Sequence, residues 1–152
     1  MRKLGILSVL FTFTLLILAA CSPGSEIQKI NDVKLILSSD WKDADSKISF
    51  VTMKQELLGE TIAIKDESGE TFEGNPESDL ALISYEDDSA KVFTDKETTI
   101  EFTSEADPEK TSIYQWITDE GAYVKVETEY NLSKKTFSAK IDKAVQYLLV
   151  SN

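Results

Sequence analysis

Histidine is absent from this 152-residue chain, cysteine occurs once, and the 16 lysines and arginines are outnumbered by 27 aspartates and glutamates. Without histidine, Cys-His and Ser-His-Asp nucleophilic sites are excluded, and so is a metal site built on imidazole or on several thiolates. A single cysteine forms no disulfide within the chain. The 6 glycines include no Gly-rich phosphate loop. The formal charge of -11 argues against nucleic acid as a partner, because neutralising phosphates takes clustered Lys and Arg. Basic peptides, cations and cell-wall polymers stay compatible with it.

Only carboxylate chemistry is left for catalysis. A glycosidase needs two carboxylates facing each other across a cleft, and the sequence offers many pairs with no means of choosing one. A Ser-Lys hydrolase would need a serine beside a buried lysine, but Ser133-Lys134-Lys135 reads better as the capped, solvated start of a helix. Calcium takes oxygen ligands from loops, and Asp43-Ala44-Asp45, Asp66-Glu67-Ser68-Gly69-Glu70 and Glu86-Asp87-Asp88 each gather acids in a turn. None has EF-hand spacing, and Asp and Ser favour turns for local reasons. No cofactor and no metal site is expected.

What is present begins at the N-terminus. Leu4 to Leu18 is uncharged, follows Arg2-Lys3, and ends in small residues, the order of a secretory signal. The run is shorter than the roughly 20 apolar residues of a spanning helix. Leu18-Ala19-Ala20-Cys21 resembles the lipobox of the bacterial lipoprotein signal family, with Leu three places before the cysteine and small residues at the next two. The resemblance implies cleavage before Cys21 and lipidation of that residue. Two or three acyl chains, each methylene contributing about 0.8 kcal/mol on burial, anchor stably where one chain is marginal. Losing residues 1–20 removes Arg2 and Lys3 and no acid, so the charge moves from -11 to -13. Residues 1–20 are thus expected to be a signal peptide and 21–25 a lipidated tether. Residues 26–152 form one extracytoplasmic domain, large enough for a core without disulfides. The expected location is the outer face of the cell membrane, held by the lipid.

Within the domain, Ile27, Ile30, Val33 and Leu37 fall near helical spacing behind Ser25, which predicts a short N-terminal helix, although Val33 to Leu37 also suits a strand. From Lys47 the period is two. Ile48 to Met53 and Ile62 to Lys65 read as strands, and Asp66-Glu67-Ser68-Gly69 turns the chain back through Glu70 to Glu73 as a hairpin. Leu80 to Tyr85 with Lys91 to Thr94 predicts a second hairpin, and Thr98 to Thr103 a further strand. Ser112 to Thr118 and Ala122 to Tyr130 around Asp119-Glu120-Gly121 predict a third hairpin. Phe137, Ile141, Val145 and Leu148, with Leu149 beside them and Ser133 as cap, predict a C-terminal amphipathic helix. Its other face would carry Lys134, Lys135, Lys140 and Lys143. The expected fold is therefore α+β, an antiparallel β-meander of about six or seven strands covered by the C-terminal helix.

Tyr114-Gln115-Trp116, Asp119-Glu120-Gly121-Ala122-Tyr123 and Asn131-Leu132-Ser133 before a final helix resemble the closing pattern of small extracytoplasmic domains related to the periplasmic lipoprotein carriers and to regulators of the same fold. About 40 residues carry the likeness, and it transfers no functional residue. It implies a curved sheet wrapped over helices, with a concave apolar surface for an acyl chain or a partner protein. Tyr114 and Trp116 share a strand face and are the candidate lining of such a groove. The functional expectation is a membrane-anchored, non-catalytic binding or regulatory module taking an apolar ligand or an envelope protein. A carboxylate-dependent hydrolase of cell-wall polymers is the alternative.

Overall fold

The computed structural model describes residues 26–37, 48–66, 68–85 and 98–152. The lipobox with Cys21, the acidic stretches 43–45 and 86–88, and the strand expected at 91–94 lie outside them. Twelve strands occupy the described residues: β1 (Glu26–Ile30), β2 (Val33–Leu37), β3 (Ile48–Met53), β4 (Ile62–Lys65), β5 (Thr71–Pro76), β6 (Leu80–Tyr85), β7 (Thr98–Thr103), β8 (Thr111–Ile117), β9 (Ala122–Lys125), β10 (Glu129–Asn131), β11 (Thr136–Ile141) and β12 (Gln146–Ser151). One short 3-10 turn, Gln55–Leu57, is the only helical element among the described residues.

The expected α+β fold does not form. In place of an N-terminal helix, β1 and β2 make an antiparallel hairpin, reversing at Asn31 with φ 52, a left-handed conformation that Asn tolerates better than most residues. Val33, Leu35 and Leu37 are buried while Lys34 and Ile36 are half-buried, so the period is two.

The C-terminal helix is likewise two strands, β11 and β12. A spacing of four residues returns to the same face in both periodicities, so Phe137, Ile141 and Val145 suit either one. Ala139 decides the matter: Phe137, Ala139 and Ile141 are buried, and Lys140 between the last two is exposed. In β12 the successive residues Tyr147, Leu148, Leu149 and Val150 are all buried, as expected of a strand covered on both faces. Ser133 caps no helix. It donates to Asn131 Oδ1 in the β10–β11 turn, where Lys135 has φ 52. The supposed basic face is dispersed, with Lys134 and Lys135 in that turn, Lys140 on β11 and Lys143 in the link to β12.

Nor do the strands follow one another as a meander. The first sheet has the order β1-β2-β7-β11-β10 and is antiparallel throughout. The second runs β3-β6-β12-β5-β4-β9-β8, with β4 and β9 parallel, and β8 returns to pair with β12. That last pairing closes β12, β5, β4, β9 and β8 into a five-stranded barrel. β6 and β5 lie end to end along one edge of β12, Gln146 opposite Leu82 and Val150 opposite Pro76. Where the ladder breaks between them, the Glu77 N–H donates to the Leu149 carbonyl and the Leu149 N–H donates to Ser78 Oγ at 3.2 Å. A side-chain oxygen thus replaces a missing backbone acceptor.

Two cores result, divided by β12. Tyr147 and Leu149 face the space between the sheets, with Val33, Leu35, Ile100, Phe102, Ile113 and Phe137. Leu148 and Val150 face the barrel interior, with Ile64, Leu80 and Tyr114.

Candidate functional site

The barrel is the first place to look for a ligand, and its interior is filled. Tyr114 is 3% exposed and Ile64 and Leu148 are fully buried. At Gly74 on β5, a methyl group would stand 2.5 Å from Val150 Cγ1 and 2.9 Å from Ile64 Cδ1. Side chains occupy the lumen, as is usual for barrels of few strands. Burial and the nearby Asp66 charge push the Tyr114 hydroxyl above its ordinary pKa, and burial does the same for Tyr123.

Trp116, two residues along β8, is half-buried and lies opposite Tyr123 of β9, their rings 5.2 Å apart in an edge-to-face arrangement of 67°. The Tyr123 hydroxyl donates to Gln146 Oε1 at 2.7 Å, tying the pair to β12. Of the two aromatics singled out in the sequence, Tyr114 is thus part of a packed core, and Trp116 retains partial access to solvent.

The acidic turn at 66–70 is occupied with itself. Asp66 Oδ1 accepts from Ser68 Oγ at 2.6 Å and from the Ser68 and Glu70 N–H groups. The Ser68 hydrogen bond foremost holds its carboxyl below the ordinary range. Among the described residues no group of three or more Asp, Glu or Cys side chains is placed to hold a metal ion.

A more open surface lies beyond the barrel, on the wing formed by β3 and β6. Val51 opposes Leu82 and Met53 opposes Leu80, so these side chains share the face that continues from the barrel interior. Val51 is 48% exposed, Met53 39% and the nearby Leu57 74%. On the other face Phe50 is buried between the sheets. The wing is held in place after β3: the Gln55 N–H donates to Asp79 Oδ1 and Asn31 Nδ2 to Asp79 Oδ2, each at 3.0 Å, while Gln55 Nε2 donates to the Pro76 carbonyl. Asp79 therefore links the β1–β2 turn of the first sheet to the end of β3. A cavity of about 570 Å³ lined by Gln55, Glu56, Gly59, Glu60 and Pro76 opens beside this point. A smaller one, about 220 Å³, lies over the outer face of the first sheet and has Glu127, Glu129 and Lys140 in its lining. Ile48 to Met53 and Leu80 to Tyr85 are strands as their alternation predicts, and Ile48 to Met53 carries no charge in a chain of which 28% is charged, but no local signal marks their shared face as open.

Comparison with known protein families, with curated proteins and with solved structures finds no match to this chain.

Proposed function

We propose that the protein is a lipid-anchored, non-catalytic extracytoplasmic module that engages a polypeptide partner through its outer surface. The lipobox-like Leu18-Ala19-Ala20-Cys21 supports the anchor. The observation that carries the mode of binding is the filled barrel. With Tyr114, Ile64, Leu148 and Val150 packed inside and no room for a methyl at Gly74, the barrel interior offers an acyl chain no space to enter, and the exposed apolar area among the described residues lies outside it. The reading of a wall-polymer hydrolase is less well supported. Such an enzyme needs a carboxyl kept protonated by burial, and the buried polar side chains among the described residues are Ser78, Thr98 and Thr111, none of them an acid.

Native mass spectrometry of the full chain, extracted from membranes in non-ionic detergent, tests this reading. The expected spectrum shows the polypeptide with its covalent lipid and no retained small molecule. A fatty acid or lipid that stays bound non-covalently through desolvation, in addition to the covalent lipid, would contradict it.

A further inference from the structure

Among the described residues the first sheet ends in β1 and β10, while the barrel leaves the second sheet a single unpaired edge, β3. Free edges expose unpaired N–H and C=O groups and are normally guarded by charge or by shortness. β1 carries the exposed Lys29, and β10 has three residues including Glu129. β3 has six residues, Ile-Ser-Phe-Val-Thr-Met, without charge, proline or glycine; among the described residues β6 is the one strand hydrogen-bonded to it, and β1 of the first sheet approaches it without pairing.

We propose that β3 is a strand-addition site for an extended, basic segment of a partner polypeptide. This rests on the reading of the protein as a binding module, and names where and what it binds. Only a polypeptide strand matches the alternating donors and acceptors of a β edge, which makes the backbone the source of affinity. Apolar residues at alternate positions of the incoming strand would cover Val51 and Met53, both exposed on one face. Charge selects between candidate strands. Glu56 and Glu60 line the cavity past the C-terminal end of β3, and the whole chain is at -11, so a basic residue entering there is attracted, whereas a second copy of this acidic chain is repelled. In the antiparallel arrangement the partner strand begins beside Glu56 and Glu60, so its basic residues precede its apolar ones.

The test uses the purified full chain in non-ionic detergent and a fluorescein-labelled probe peptide with two N-terminal lysines followed by alternating threonine and valine. Fluorescence anisotropy is expected to show binding that weakens as salt is raised. The probe N-methylated on the residues that donate to the edge should bind at least tenfold more weakly. Val51→Lys, at a half-exposed position where a thermal melt can confirm an intact fold, should lose binding at least tenfold. Glu56→Lys with Glu60→Lys should weaken binding several-fold and flatten the salt dependence. Equal binding of the N-methylated probe, or undiminished binding by a folded Val51→Lys chain, would overturn the proposal. So would a concentration-dependent dimer, seen by sedimentation, that strengthens with salt and is lost in Val51→Lys, since the edge would then serve a second copy. Absence of probe binding, with native mass spectrometry showing no retained ligand, overturns the strand-addition site alone; a retained acyl ligand overturns the wider reading.

Discussion

Gly74→Ala is the substitution that reads the barrel interior most sharply, because two effects of opposite sign compete at that residue. Replacing Gly by Ala restricts the unfolded chain and stabilises by about 0.4 to 1 kcal/mol where the native site accepts the methyl. Gly74 does not have the positive φ that would forbid alanine, so backbone strain plays no part. The obstacle is space: the new Cβ falls 2.5 Å from Val150 Cγ1, 2.9 Å from Ile64 Cδ1 and 3.2 Å from the Ser151 carbonyl oxygen. Val150 is stiff at χ1, both side chains are buried, and the carbonyl is backbone, so relief requires strands to part. Overpacking of this kind costs about 1 to 3 kcal/mol, which exceeds the entropic gain. The net loss of up to roughly 2.5 kcal/mol corresponds to a fall in Tm of several degrees, taking about 3 to 5 °C per kcal/mol for a domain of this size. Thermal and urea unfolding followed by circular dichroism measure it. Pairing the change with Val150→Ala should return part of the loss, giving a double mutant less destabilised than the sum of the singles by on the order of 1 kcal/mol. A Gly74→Ala chain with a raised Tm, or strictly additive singles, would refute the packed lumen.

Leu148→Ala and Leu149→Ala should each cost about 2 to 5 kcal/mol in urea unfolding, since β12 is buried on both faces; a near-neutral value at either would mean that one face is open. Asp66 has its pKa lowered in the fold, so it contributes stability that is present above 3.8 and is lost as pH falls through the lower folded value; Asp66→Asn should lower stability at pH 7 and match wild type in strong acid, read by urea midpoints across pH. Tyr114, Tyr123 and Tyr147 have raised pKa values, mainly through burial, so they favour the fold at neutral pH and oppose it once pH rises past 10. Ultraviolet titration should accordingly show part of the tyrosinate absorbance appearing late, together with alkaline unfolding; full ionisation in a single step near pH 10 with the fold intact would count against these burial assignments.

The parts of the fold legible in the sequence are those written in a few neighbouring residues. The turn at Asp66 to Gly69 does join β4 to β5, with Gly69 at φ 84, and Asp119-Glu120-Gly121 does join β8 to β9, with Gly121 at φ 59. Turn chemistry is local, so it survives whatever the rest of the chain does. The helices failed where two periods coincide: Phe137, Ile141 and Val145 suit both, and the small Ala139 that breaks the tie is easily passed over. Tyr147 to Val150 could be read correctly only by knowing that a second core lies behind β12. Likewise, sheet order joins segments such as β4 with β9 and β8 with β12, whose pairing depends on tertiary register rather than on any turn. One clue to the barrel was present, since a glycine within a strand, Gly74, often marks a close backbone approach. For the site, Tyr114 and Trp116 do lie two residues apart on β8, but that Tyr114 is buried and Trp116 half-buried depends on a closure that the sequence does not announce. The uncharged run of β3 was visible, yet only sheet order shows that it lies at an edge.

The account depends most on the proposed membrane anchor at Cys21, and metabolic labelling with radioactive palmitate followed by membrane fractionation tests it most directly. Wild-type chain is expected to carry label and sediment with membranes, while Cys21→Ala carries none and, once residues 1–20 are removed, loses stable membrane association, because the remaining chain is acidic and has lost its proposed lipid. Unlabelled wild-type protein, or a Cys21→Ala chain that stays in the membrane fraction with residues 1–20 removed, would contradict the account.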